Sequence, residues 1–319
     1  MIRIALLSLG IGLAATAPAL AQQYPSQDVH IICAFPAGSG ADNIVRWYGE
    51  KLKPLMNRTI LVENRVGALG NIATEYVVRS KPDGHTIYMT GGTAITTSKY
   101  LFKNQTFDAE KDLVVAATLN KQSTMLVVGP ARPWKNVAEL TAYLKDRKDA
   151  GTYGHTNPNG RVMGALYKEY AKVAAVEVAY RGIAEALNDL TSGALDYAFV
   201  DNIAATSLAR EGKLRILGMS MPQRLQSNPE IPTMAEQGIP IHQTSWFAAI
   251  VPSATPRPIV DQINKMYNQV TSSEEGRKYL TSIASDPWPT SPDDAKETVA
   301  KEIKDWAEYV KIAKIEPQG

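Results

Sequence analysis

A chain of 319 residues, 45% hydrophobic and 21% charged, has ordinary globular usage and enough length for cores spread over about two domains. Lys plus Arg number 34 against 32 for Asp plus Glu, a net charge of +2, which gives no reason to expect nucleic acid or an anionic membrane surface as partner. The single cysteine, Cys33, excludes an internal disulfide.

The chain opens on Arg3, an apolar run from Ile4 to Ala15, and Ala17-Pro18-Ala19-Leu20-Ala21, the pattern of a secretory signal over 1–21 with cleavage near Ala21 and a mature start near Gln22. That run is short of the roughly 20 residues a spanning helix needs, and no later apolar run is longer. A soluble, exported product is expected. Cys33 lies well beyond the cleavage site, which argues against a lipid-anchored cysteine at the mature terminus.

From Val29 to Phe35 the residues are apolar on both faces, the mark of a buried parallel strand. Pro36 ends it, and Ala37-Gly38-Ser39-Gly40 then carries almost no side chain before an amphipathic helix over Ile44–Leu55, which Pro54 helps to close. Bare backbone N–H groups at a helix N-terminus suit a carboxylate or phosphate. The same residues equally suit a tight turn whose glycines serve only backbone geometry. A second strand follows over Thr59–Glu63, a glycine-bearing loop over Asn64–Asn71, and a helix over Ile72–Ser80. The turn Lys81-Pro82-Asp83-Gly84 leads to a strand over His85–Thr90 and to another small, hydroxyl-rich loop, Gly91–Thr96. Three strands thus end in small-residue loops, and open α/β sheets bind ligands at such carboxyl ends.

Strands over Leu113–Leu119 and Met125–Val128 flank the polar Asn120–Thr124, expected as a first crossing into a second domain. Asn136 caps a helix over Val137–Lys148; Thr152-Tyr153-Gly154 is a strand, and His155–Arg161 a polar loop before a helix over Val162–Lys172. Strands over Val176–Tyr180, Tyr197–Val200 and Leu214–Met219, with a helix over Ile183–Ser192, complete that domain. After a loop at Gln226–Thr233, Ile239–Ile250 returns to the first domain, and helices over Pro258–Val270, Ser273–Ile283 and Pro292–Ile312 end the chain.

Several sharper chemistries lack support. His30, His85 and His242 are scattered without metal-ligand spacing. Gly38-Ser39-Gly40-Ala41-Asp42-Asn43 lacks the third glycine of a dinucleotide loop, and neither a phosphate-binding G-x-x-x-x-G-K-[ST] nor a G-x-S-x-G elbow occurs. No metal, cofactor or catalytic residue is expected. The rival from another class is an exported hydrolase acting on a small carboxylate or ester, and it wants a nucleophile, base and orienter that the chain does not display.

The succession Tyr24-Pro25-Ser26, Phe35-Pro36-Ala37-Gly38-Ser39-Gly40-Ala41-Asp42, Val62-Glu63-Asn64-Arg65, Lys81-Pro82-Asp83-Gly84-His85-Thr86, Tyr180-Arg181-Gly182, Asp201-Asn202, Gly212-Lys213-Leu214-Arg215 and Thr244-Ser245-Trp246-Phe247 resembles the Bug (TctC-type) solute-binding proteins of tripartite tricarboxylate transporters. The likeness runs in order from Tyr24 to the C-terminal helices. It implies an α/β periplasmic binding protein, monomeric, two-lobed and type II-like, each lobe a mostly parallel sheet flanked by helices, with a small carboxylate in the interlobe cleft and a membrane permease as partner. The lobes are expected to be discontinuous: residues 22–119 with 244–319, and residues 120–243, hinged near 120–124 and 241–245.

Carried over by position, the likeness sets the ligand between Phe35, Ala37, Gly38, Ser39, Gly40, Ala41 and Asp42 of one lobe and His155, Thr156, Asn157, Asn159 and Arg161 of the other. Thr93, Ala94, Asp201 and Trp246 line the sides. The second loop departs from the family's small Ser/Gly-rich pattern, and Met163 stands where a histidine is common. With no Lys or Arg in Phe35–Asn43, one carboxylate is expected on the backbone N–H groups of Ala37–Ala41. Arg161, a planar fork, is expected to take a second carboxylate. Phe35 and Trp246 are expected to sandwich the spacer, which admits aromatic diacids beside aliphatic ones.

Overall fold

The computed structural model describes residues 24–317 except 104 and 148, so the leader read over 1–21 lies outside the described residues. The strands are β1 (Val29–Cys33), β2 (Ile60–Asn64), β3 (Thr86–Gly91), β4 (Leu113–Gln122), β5 (Thr124–Val128), β6 (Gly151–His155), β7 (Ala175–Ala179), β8 (Tyr197–Asp201), β9 (Arg215–Met219), β10 (Ser245–Pro252) and β11 (Asp286–Pro287). The helices are α1 (Gly40–Met56), α2 (Asn71–Val78), α3 (Thr93–Thr96), α4 (Ser98–Leu101), α5 (Ala109–Asp112), α6 (Val137–Asp146), α7 (Pro158–Ala171), α8 (Ile183–Ser192), α9 (Asn202–Arg210), α10 (Arg257–Ser272), α11 (Glu274–Ser282) and α12 (Pro292–Ile312). Among the described residues no helix is long and apolar enough to cross a membrane.

A six-stranded sheet has the order β11-β4-β10-β3-β1-β2 and a five-stranded sheet the order β7-β6-β8-β5-β9. Both are mixed. In the first, β10 runs antiparallel to β3 and β4, and β11 antiparallel to β4, while β1 pairs in parallel with β2 and β3. In the second, β5 is the reversed strand, antiparallel to β8 and β9. The remaining strands of each sheet share one direction, so the carboxyl ends of β1, β2 and β3 lie side by side at one edge of their sheet, as those of β6, β7 and β8 do in theirs.

Each sheet is covered on both faces. On the first, Ile31, Tyr48, Phe247, Ile263 and Tyr267 form one core, and Ile32, Tyr88, Trp246, Ile250 and Ala295 the other. On the second, Tyr153, Leu166, Tyr167, Tyr197 and Phe199 lie on one face, and Met125, Leu190, Ala198 and Val200 on the other. The last helix joins the two lobes: Ala295 lies in a core of the first sheet, whereas Trp306, with Ala313 and Ile315 just beyond the helix, is buried in a core of the second.

Several segments differ from the sequence reading: α4, α5 and β11 have no counterpart in it, α7 begins at Pro158 inside the expected loop over His155–Arg161, and three further differences bear on the site. Asn120, Lys121 and Gln122 belong to β4, because their backbones pair with Phe247, Trp246 and Ser245, so only Ser123 separates β4 from β5. This crossing is tied to the second one through Ser220, whose N–H donates to Ser123 Oγ at 3.2 Å and whose Oγ donates to Gln243 O at 2.9 Å. The hydroxyl-rich stretch after β3 is helical rather than loop, its hydroxyls turned back onto the backbone: Thr96 Oγ1 donates to Gly92 O at 3.3 Å and Thr97 Oγ1 to Thr93 O at 2.8 Å. Finally, α9 had no counterpart in the sequence reading, although Asp201 caps it by accepting from Ala204 N–H at 2.9 Å.

Candidate ligand-binding cleft

The first wall is the loop from β1 to α1. Ser39 caps α1, its Oγ accepting from Asp42 N–H at 3.2 Å, and its own N–H donates to Pro36 O at 3.1 Å. Asp42 is 1% exposed and does not face a ligand. Its carboxylate accepts from Gly38 N–H at 2.8 Å, Arg46 Nε at 2.8 Å and Asn64 Nδ2 at 2.7 Å, and Asn64 Nδ2 also reaches Phe35 O at 2.9 Å. Burial pushes this carboxyl up, but the bonds from Arg46, Asn64 and Gly38 outweigh it and hold the group below its ordinary value. Asp42 therefore shapes the loop. Of the backbone donors expected for a carboxylate, Gly38 and Ser39 are already engaged; those of Ala37, Gly40 and Ala41 have no partner among the described residues. Gly40 and Ala41 open α1, where unmet N–H groups and the helix dipole both favour an anion.

Glycines here have separate causes. Gly38 sits at φ +80°, a left-handed conformation, with open space where a Cβ would be. A Cβ on Gly40 would come 3.3 Å from Ile203 Cγ2 of α9, so this loop meets the other lobe directly.

The second wall is the loop from β6 to α7. Asn157 caps α7 by accepting from Gly160 N–H at 2.9 Å, and a Cβ on Gly160 would lie 2.4 Å from Phe199 O, which explains how closely the helix start sits on β8. Sequence reasoning missed Glu177 on β7. Its carboxylate meets His155 Nε2 at 3.2 Å and accepts from Arg161 Nε at 3.0 Å and Tyr153 OH at 3.0 Å. The bond from His155, helped by the Arg161 charge and the Tyr153 hydroxyl, overcomes burial and lowers it to about 2. Arg161 is thus half committed: its Nη groups alone have no protein partner among the described residues. Asn159 Nδ2 donates to Ser245 Oγ at 3.2 Å, across to the first lobe. His155 Nδ1 and Asn159 Oδ1 are buried without a hydrogen-bond partner among the described residues. Thr156 is half-buried between the two.

At the sides, Thr93 and Ala94 lie half-buried on α3. Trp246 does not wall the cleft. It is 2% exposed, its Nε1 donates to Glu302 Oε1 at 2.7 Å, and a Cβ on Gly92 would come 2.1 Å from its ring, so the indole backs the β3–α3 loop from the far face of the sheet. Its neighbour Phe247 projects to the other face and meets Phe35 with ring centroids 6.0 Å apart. Asp201 serves as the cap of α9; burial pushes its carboxyl up, against the pull of the Ala204, Asp201 and Ile203 N–H groups. A separate groove of about 980 Å³ lies away from these loops, among Asp28, His30, Arg65, Tyr76 and His85.

The helix starts of α1, α7 and α9 therefore gather where the lobes meet, with Ile203 of α9 against Gly40 and Asn159 of α7 bonded to Ser245. Three solved structures resemble this architecture. Rpa4515 of R. palustris with adipate is 27% identical, at a TM-score of 0.85 over 92% of this chain and 100% of that one. The periplasmic binding protein BugD is 25% identical, at 0.81 over 92% and 100%. MatC (Rpa3494) of Rhodopseudomonas palustris with bound malate is 25% identical, at 0.79 over 90% and 100%. The family model described as "Tripartite tricarboxylate transporter family receptor" matches residues 44–315, and the chain accordingly belongs to that family, the TctC or Bug solute-binding proteins.

Proposed function

We propose that the protein is an exported receptor that closes its two lobes on a small dicarboxylate and delivers it to the membrane permease subunits of a tripartite tricarboxylate-type transporter, with the leader over 1–21 removed. The observation that carries this reading is the donor arrangement: the unengaged N–H groups of Ala37, Gly40 and Ala41 at the start of α1 oppose a second wall holding the unengaged Nη groups of Arg161 and buried, unpartnered atoms of His155 and Asn159. The related structures bear adipate and malate, both dicarboxylates. Sheet membership supports two lobes discontinuous in sequence, but it carries the first lobe through Gln122 rather than ending it at 119, with the strand crossings falling at Ser123 and just before Ser245. Against the hydrolase reading, Ser39 Oγ accepts from Asp42 N–H as the cap of α1 and has no histidine or carboxylate base among its hydrogen-bond partners in the described residues.

Thermal denaturation of the purified chain against di-, tri- and aromatic carboxylates tests this. A ligand held only by the folded state at a hundred times its Kd adds about 2.7 kcal/mol. Arg161→Ala should weaken a diacid by about 2 kcal/mol and leave a matched monoacid nearly unchanged. Failure of every carboxylate to stabilise the chain refutes the reading, and chemical conversion of a bound one restores the hydrolase.

A further inference from the structure

Asn120 is 0% exposed, and neither its Nδ2 nor its Oδ1 has a hydrogen-bond partner among the described residues. Two positions back along β4, Thr118 Oγ1 donates to Trp288 O, and from the other lobe Asn202 Nδ2 donates to Ala284 O at 2.6 Å while its Oδ1, like the Asn120 carboxamide, has no hydrogen-bond partner among the described residues. A carboxamide enclosed with both ends unmet is costly, and proteins keep such a group where something pairs with it.

Its placement says what that is. Asn120 stands opposite Phe247 in the antiparallel ladder, so the two project to the same face, the one covered by α1. Phe247 also pairs with Gly91, which brings no side chain, and its ring meets Phe35 at the start of the first loop. Asn120, Phe247 and Gly91 thus form a row across the carboxyl edge of the sheet, beneath the start of α1. From the other lobe α9 closes on the end of β4, Asn202 N–H donating to Ser123 O at 3.0 Å.

We propose that Asn120 is a specificity-determining residue on the floor of the cleft, selecting a diacid that carries a hydroxyl over its deoxy counterpart. This rests on the dicarboxylate reading above and narrows it. A carboxylate only accepts hydrogen bonds and would leave Oδ1 unmet; a hydroxyl both gives and takes, and answers both atoms of the carboxamide.

The test is calorimetry with the full mature chain on matched pairs, malate against succinate and 2-hydroxyglutarate against glutarate. In the parent the hydroxylated member of a pair binds about tenfold tighter or better. Asn120→Leu, branched at Cγ like asparagine, binds both members at the deoxy affinity, and without ligand resists urea at least as well as the parent, because a buried unpaired amide has been replaced by an apolar group. Asn120→Ala gives the same loss of preference should the leucine variant fail to fold. A parent that binds diacids without preference, or variants that keep the parent's preference, overturn the role of Asn120 while leaving the receptor standing. A parent stabilised by no diacid overturns both.

Discussion

Replacing Glu177 by glutamine keeps the shape of the His155, Arg161 and Tyr153 cluster and removes its negative charge. The carboxylate is lowered from an ordinary 4.5 to about 2. At 1.36 kcal/mol per unit this corresponds to at most about 3 kcal/mol. The side chain is 35% exposed, and solvent screening reduces the figure to about 1–2 kcal/mol. The folded-state value lies below the unfolded one, so the contribution is fully present above pH 4.5 and is lost as pH falls from there toward about 2. Glu177→Gln should therefore cost about 1–2 kcal/mol in urea denaturation at pH 7, and the gap between variant and parent should narrow as the titration is taken down through pH 3. The variant also releases Arg161 Nε and removes a negative charge beside the far end of a bound diacid, so calorimetry at pH 7 should show the diacid binding tighter and a monoacid unchanged. A gap that stays constant from pH 7 to pH 3, or a diacid that binds more weakly, refutes the assignment of Glu177 as the partner that holds these donors.

Other variants probe the remaining parts of the site. Asp42→Ala strands Gly38 N–H, Asn64 Nδ2 and Arg46, and should cost about 3 kcal/mol in urea together with most of the carboxylate affinity; a loss under about 1 kcal/mol with binding intact would show that the loop holds its shape without it. Gly38→Ala and Gly40→Ala separate strain from closure. The first should cost about 1–2 kcal/mol of stability for a left-handed alanine, while the second should leave unliganded stability nearly unchanged and weaken binding through the Ile203 contact; identical profiles for the two would contradict this. Glu302, raised to about 8 chiefly by burial, keeps its proton in the fold while the unfolded chain ionises near 4.5, so stability declines as pH rises between these values. Glu302→Gln should remove that decline and gain on the order of 3 kcal/mol over the parent at pH 8 relative to pH 5, and a pH-independent difference in melting would count against it.

Much of the fold was legible because buried parallel strands are apolar on both faces and their loops are short. β1 through β3, the small-residue loop before α1, and the bounds of α8 and α12 could be read from local pattern. What escaped depends on pairing. The run Asn120-Lys121-Gln122 is polar enough to pass for a linker, yet its backbone completes a ladder with Ser245–Phe247, and nothing local announces that. Alternation along β10 separates Trp246 from Phe247 but does not say which of them looks into the cleft; that follows from Gly92, whose lack of a side chain receives the indole. Glu177, between Val176 at 56% exposure and the half-buried Val178, reads as an edge-strand residue. Its partners lie 16 to 24 positions away.

The one charged side chain of the first loop carries the wrong sign for an anion site. Asp42 lies in the first turn of α1, where a carboxylate favours the helix dipole but would repel a ligand carboxylate facing it. The conflict is resolved by direction. Asp42 turns inward, and its charge is met by Arg46, Asn64 and the N–H of Gly38. Outward remain the N–H groups of Ala37, Gly40 and Ala41, which carry no side chain larger than a methyl. Glu177 repeats the device in the other lobe, fixing His155 and Arg161 while leaving the Arg161 Nη groups unengaged. In both walls a protein carboxylate orders the donors from behind. On the proposed reading, the cleft's affinity for anions rests on backbone geometry and on donors left over, and reading residue charges along the chain gives the opposite sign at two of its main positions.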